Sequence, residues 1–282
     1  MIVSAAVDRV VIGAVKFTGD RGKIHGDDVR NLLRLRNDSA GAMPDARTMN
    51  FTEQTPVAEI ARRYPSSVHV FERFGIDFCC GGKRPLRVAC EEQGLSFEEL
   101  EQALRAVAAV RGDDPHQWTQ EPLHALIDHI VGAYHVALRD ELPRLETMAV
   151  KVASVHGAKA PALARIQDCL GELSADLNDH MWKEELILFR SIRAIEAGAT
   201  PAVLPLSAPI STMEVDHDRA GRLLAELREL TDDYVAPAWG CETVRALYRG
   251  LAELERSMHV HVHLENNILF PRALRLAGAA RG

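Results

Sequence analysis

His180-Met-Trp-Lys-Glu184-Glu-Leu-Ile187-Leu188-Phe189 recurs eighty-one residues later as His261-Val-His-Leu-Glu265-Asn-Asn-Ile268-Leu269-Phe270. Overlaid, the two stretches share His, Glu, Ile, Leu and Phe at the same five positions. In a helix, residues four apart lie on one face, one turn above the other. Each stretch therefore offers an imidazole beside a carboxylate, followed by an apolar grip. One His-x-x-x-Glu pair arises by chance on any charged helix; two in matching apolar contexts are a pattern.

Around these stretches lie four long amphipathic segments, from about 122 to 155, 161 to 197, 210 to 232 and 241 to 276. Their short connections predict an up-down-up-down four-helix bundle, built as a tandem repeat of one helical hairpin. Pro143 falls inside the first segment, where a kink is expected. Each hairpin should then give one His from its first helix. The third segment holds only His217, and 44 residues separate it from His261. His135 stands 45 residues before His180, whereas His129 stands 51 before it. Repeat symmetry favours His135, with His129 as the alternative, since an Asp precedes both His129 and His217. His259 and His263 are rotated about 200° from His261 and read as exposed. His156 reads as a helix-terminal residue, and His25, His69 and His116 fall outside the repeated His-x-x-x-Glu pattern and read as ordinary polar residues.

Four imidazoles and two carboxylates in a bundle core would cost several kcal/mol if nothing repaid them. A pair of metal ions supplies the repayment. The candidate ligands are His135, His180, Glu184, His217, His261 and Glu265, and mixed N/O ligation without thiolate suits iron or manganese better than structural zinc.

Residues 51–110 form a small helical unit before a linker at 111–121. Thr55-Pro56 reads as the cap and first residue of a helix. Ser96 with Glu99 reads as a capping box. Between them lies Gly75-Ile-Asp-Phe-Cys79-Cys80-Gly-Gly-Lys83. Adjacent cysteines bridge only with strain, so Cys79 and Cys80 read as two thiols presented on a turn. Gly81 and Gly82 remove bulk beside them, and the Lys83 charge with the next helix N-terminus would favour thiolate. The blander reading is two buried small hydrophobes.

Residues 1–50 read as a poorly packed extension, with Met49 a candidate natural start. The formal net charge of −7 argues against a general attraction to nucleic acid or anionic membranes. Five cysteines, odd in number and uneven in spacing, are no secreted disulfide framework and fit a reducing cytoplasm. No apolar run approaches a transmembrane length.

From about 52 to 276 the chain resembles the iron–sulfur cluster repair di-iron proteins, which join a Cys-Cys domain to a hemerythrin-like four-helix domain. The resemblance rests on Gly75 to Lys83, Ile127-Asp-His-Ile130 with Tyr134-His135, His180 to Phe189, Met213 to Asp218, and His261 to Pro271. It implies an all-α fold and a non-haem centre of two iron ions, oxo-bridged, on the six residues named above. Glu184 and Glu265 would be the bridging carboxylates. It implies repair of clusters damaged by nitric oxide or peroxide through iron donation, with damaged iron–sulfur proteins as partners and Cys79 and Cys80 as candidates for iron handover. Nitric oxide reduction or oxygen activation at the same centre is the enzyme alternative, and a hemerythrin-like oxygen or redox sensor is the binding alternative. A homodimer is compatible with the reading.

Overall fold

The computed structural model describes residues 49–111 and 118–279. The expectations for residues 1–48, Met49 as a start among them, and for the middle of the linker lie outside these residues. Among the described residues the fold is all-α. No strand occurs, and a single isolated bridge pairs Pro56 with Pro85.

The small unit comprises α1 (Val57–Arg63), a 3-10 turn (Pro65–Ser67), α2 (Val68–Arg73), α3 (Leu86–Gln93) and α4 (Phe97–Arg111). Ser96 and Glu99 form the capping box: the Glu99 amide donates to Ser96 Oγ at 3.1 Å, and the Ser96 amide donates to Glu99 Oε2 at 3.2 Å. Thr55 does not cap α1. Pro56 occupies the cap position and has no side-chain bond to give. The orphan amides of Val57 and Ala58 instead donate to the carbonyls of Arg84 (3.0 Å) and Gly82 (2.8 Å). The cysteine turn therefore closes the start of α1. Met49, expected in the extension, is buried in the core, and its carbonyl accepts from Arg105 at 3.2 Å.

The bundle's first long helix is α5 (Leu123–Ile130), a π turn (Val131–His135) and α6 (Val136–His156). The second is α7 (Ala162–Lys183), a π turn (Glu184–Leu188) and α8 (Phe189–Glu196). The third, α9 (Ser207–Leu230), is α-helical throughout. The fourth is α10 (Glu242–Leu264), a π turn (Glu265–Leu269) and α11 (Phe270–Ala279). The helix continues through Pro143, which lies within α6 and donates no hydrogen bond to the preceding turn. No described helix is long and apolar enough to cross a membrane.

The apolar core falls into two clusters. One joins the small unit (Phe71, Phe78, Leu100) to the bundle interior at Leu142, Leu173, Leu224 and Leu254. The other fills the opposite bundle end with Ile130, Phe189, Met213 and Phe270. A buried polar layer at His135, His180, Glu184, His217, His261 and Glu265 separates the two along every helix. The small unit is held beside this layer: Asn267 Nδ2, one turn after His263, donates to the Phe78 carbonyl at 3.2 Å.

Candidate metal centre

The four helices bring all six candidate ligands together, and each is at most 2% exposed. Their ligand atoms fall into two groups: His135, Glu184, His261 and Glu265, and His180, Glu184, His217 and Glu265. Within each group the atoms lie within 4.8 Å of one another, and both carboxylates belong to both groups. Glu184 Oε2 stands 3.3 Å from His180 Nε2 and 3.5 Å from His135 Nε2. Glu265 spans His261 Nε2 (3.1 Å, Oε1) and His217 Nε2 (3.1 Å, Oε2). His129, the spacing alternative to His135, lies elsewhere, stacked on Trp118 at 4.5 Å.

All four Nε2 atoms face the centre, and hydrogen bonds on the far side of the rings orient two of them. His135 Nδ1 meets Glu185 Oε1 at 2.7 Å, and Arg139 donates to the same oxygen at 2.7 Å. His217 Nδ1 meets Asn266 Oδ1 at 2.9 Å. With the proton on Nδ1, the Nε2 lone pair points inward. His180 Nδ1 lies 3.6 Å from Asp216, which Lys183 also holds at 3.2 Å. Glu185, Asn266 and Asp216 were not singled out from the sequence. The signal existed in the overlay, because the residue after the shared Glu is an oxygen acceptor in both repeats, Glu185 and Asn266.

The polar layer fits cations. Neither Glu184 oxygen has a hydrogen-bond partner, although both are fully buried. Two Nε2 pairs approach at 3.0 Å (His217 and His180) and 3.2 Å (His135 and His261), where two lone pairs repel unless a positive charge lies between them. Burial alone would raise the Glu184 carboxyl, and so would the Glu265 charge, but His180 and His135 outweigh both and hold it below the usual carboxylate value. Burial likewise opposes ionisation of Glu265, yet His261 and His217 pull it well down. Burial would lower His180, but Glu184 and Asp216 push it up to about 10. Two ionised, fully buried carboxylates thus demand positive charge. In a ligand set of neutral imidazole and carboxylate, metal ions supply that charge in place of protons.

The thiols are not part of either group. Cys79 is buried and Cys80 half-buried, with sulfurs 3.8 Å apart. The expected thiolate-favouring field is reversed at Cys79. The Asp77 carboxylate accepts the amides of Cys79 (3.0 Å), Cys80 (3.0 Å) and Gly81 (2.7 Å), taking up the donors that would stabilise thiolate. Lys83 is turned out toward Glu214 at 3.7 Å. The hydrogen bond to Cys80, burial and the nearby Asp77 charge together push the Cys79 thiol well up. The two glycines serve packing: a Cβ on Gly82 would sit 2.5 Å from the Phe78 carbonyl, and one on Gly81 2.8 Å from Asp77 Oδ2. His263, expected to be exposed, is 4% exposed beside the Phe78 ring (5.6 Å), and burial lowers it to about 4. Its helix face is covered because the small unit docks there.

A hemerythrin HHE cation-binding domain model matches residues 126–273, and a domain of unknown function (DUF542, ScdA_N) matches residues 53–108. The iron-sulfur cluster repair protein YtfE of Pectobacterium atrosepticum is 40% identical over 227 residues, 80% of this chain and 99% of that protein. The chain belongs to the iron–sulfur cluster repair protein family. Its relative from Edwardsiella ictaluri is 41% identical over 78% of this chain and 96% of the relative, and that from Yersinia pseudotuberculosis 38% identical over 80% and 99%. The matched hemerythrin region holds all six candidate ligands, and the matched Cys-Cys region holds both thiols.

Proposed function

We propose that this repair-family protein holds two iron ions, oxo-bridged and spanned by Glu184 and Glu265, and donates iron to iron–sulfur clusters damaged by oxidative or nitrosative stress. One observation carries the reading: both carboxylates are shared between two four-residue groups, which is what a bridged pair requires and a single-ion site does not. The names of the curated relatives supply the repair role. When bound, iron supplies the deliverable cargo and open coordination positions for small ligands such as nitric oxide or oxygen.

The chain's own residues provide the rest. Glu185 and Asn266 hold His135 and His217 in the ligating tautomer. The two core clusters exclude water on either side of the ligand layer. A polar cavity of about 210 Å³ is lined by Cys79, Cys80, Glu214, Asp218 and Asn266. Asn266 thus touches both His217 and the thiol cavity, and this gives released iron a polar route to Cys79 and Cys80. Five unpaired cysteines suit the reducing cytoplasm as its setting.

The test is iron content together with anaerobic transfer to a cluster-depleted acceptor, for the native chain and for Cys79→Ala/Cys80→Ala. Full iron content with transfer lost in the double variant supports the reading. Unchanged transfer removes the thiols from it. Nitric oxide turnover with iron retained and no transfer replaces donation with an enzyme.

A further inference from the structure

A larger cleft, about 1010 Å³, shares no lining residue with the thiol cavity. It opens between the end of α1, the loop at Trp118 and helices α5 and α10, and its walls include Tyr64, Trp118, His129 and Tyr134. Three ring contacts lead from it into the ligand layer. Trp118 stacks on His129 with centroids 4.5 Å apart. His129 meets Tyr134 edge-on at 5.7 Å. Tyr134 lies parallel to the ligand ring of His261, 5.2 Å away and 9° from coplanar. The backbone that carries the outer ring is anchored, because Arg272 donates to the Trp118 carbonyl at 2.6 Å. Structural packing alone does not call for a continuous file of π-systems from an open cleft to a metal ligand.

Donation gives the file a use. Two buried carboxylates hold a ferric ion more tightly than a ferrous one, because attraction scales with charge. Release therefore gains from an electron delivered to the centre. The cleft lies at the upper end of the size range for small-molecule sites. Its aromatic walls suit a flat ring system, and the exposed Arg62 at its edge suits a phosphate.

We propose that this cleft binds a planar aromatic reductant of the reduced-flavin class, and that its electrons tunnel singly to the centre through the packed rings of Trp118, His129, Tyr134 and His261, none of which is itself oxidised or reduced. The proposal rests on the iron reading above. Each transfer oxidises the donor by one electron and reduces one ferric ion to ferrous. The donor's protons leave to solvent through the open cleft, and no bond to a ring forms or breaks.

The first half of the test needs no metal. Flavin mononucleotide is titrated into the metal-free full chain while its fluorescence is followed. Saturable quenching is expected, weakened roughly tenfold to a hundredfold by Trp118→Ala, the range for losing one stacked ring. No saturable quenching, or quenching indifferent to Trp118→Ala, overturns the site. In the second half, photoreduced flavin mononucleotide is mixed anaerobically with iron-loaded protein at saturating concentration, and loss of ferric absorption is timed. Tyr134→Leu should lose the fast phase and Tyr134→Phe, which keeps the ring, should retain it. Wild-type kinetics in Tyr134→Leu overturn the ring path. Flavin bound as expected by a chain that loads no iron would keep the cleft assignment and remove the iron reading instead.

Discussion

Replacing Glu184 with Gln should disable both metal positions, whereas replacing His217 with Ala should disable one. Glu184 belongs to both ligand groups and His217 to a single group. Loss of an outer hydrogen-bond partner typically costs 10- to 100-fold in metal affinity, so loss of a direct ligand costs at least about that. Applied at two positions, at about 1.4 kcal/mol per tenfold, Glu184→Gln removes roughly 3–6 kcal/mol of binding free energy and His217→Ala about half as much. Ligation of the folded state alone at about 100 times Kd stabilises by about 2.7 kcal/mol per site. At a ferrous concentration set there for the native protein, two sites raise Tm by roughly 10–20 °C, using 2–4 °C per kcal/mol for a chain of this size. About 1–3 kcal/mol of that increment should survive in Glu184→Gln and about 3–4 kcal/mol in His217→Ala. The assay is calorimetry of each variant with and without anaerobic ferrous iron, alongside metal content. Each protein serves as its own metal-free reference, which cancels any direct effect of the substitution. If Glu184→Gln keeps the native increment, or loses no more than His217→Ala does, the shared-carboxylate argument is wrong.

Gly82→Ala should destabilise by roughly 1–3 kcal/mol through overpacking, since its Cβ would meet the Phe78 carbonyl at 2.5 Å and Ala58 at 2.7 Å. Gly221→Ala, whose nearest neighbour would be Cys80 Sγ at 3.9 Å, should instead stabilise helix α9 by about 0.5–1 kcal/mol; urea unfolding separates the two signs. Asn266→Asp puts a carboxylate behind His217, raising its basicity as Glu185 does for His135, and should slow iron loss to a chelator by roughly tenfold or more; an unchanged or faster loss contradicts the orienting role. Cys241 occupies the cap position before α10, where the Val244 amide and then His156 Nε2, 3.5 Å away, favour its thiolate and lower it to about 7. Thiolate increases with pH, so iodoacetamide should modify Cys241 with a midpoint near 7. His156→Ala should move that midpoint upward, and peptide mass mapping against pH reads both.

What the sequence carried best was whatever repeats. Two hairpins with the same five residues at the same five positions locate the bundle and offer His180, Glu184, His261 and Glu265 from local spacing alone. His217 stands by itself on its helix, and the matching intervals lead to His135. The structure brings those six residues to one buried layer. What local spacing could not carry depends on contacts between distant segments. His263 looks solvent-facing on a helical wheel, yet the small unit covers that face and buries it against Phe78. Thr55 has a good capping side chain, but the amides of α1 are met by carbonyls of the turn near residue 83. The field at Cys79 differs from the expectation for a local reason instead. Lys83 is the nearest basic residue in sequence, but Asp77, two residues before Cys79, takes three amides of the turn and puts a negative charge beside the thiol.

The π turns show how the repeat works in three dimensions. Two of them begin at the equivalent residues Glu184 and Glu265, with the amides of Phe189 and Phe270 reaching back five residues to the glutamate carbonyls. Each such turn gives up α-helical bonding and re-aims the side chains that follow, a cost usually met at functional sites. Here it follows the shared carboxylate in both hairpins. The next residue in each hairpin bonds the candidate ligand histidine of its own first helix, Glu185 to His135 and Asn266 to His217. The repeat therefore encodes more than four ligands. It encodes the candidate ligand, the carboxylate shared by both ligand groups and the partner that orients the neighbouring ligand, within one motif used twice. Where the copies differ, they differ in charge: a carboxylate backed by Arg139 behind His135, a neutral amide behind His217. A carboxylate behind an imidazole strengthens its hold on a cation more than an amide does. His217 is thus the less strongly backed of the two first-helix ligands, and it is the one whose orienting residue also lines the thiol cavity.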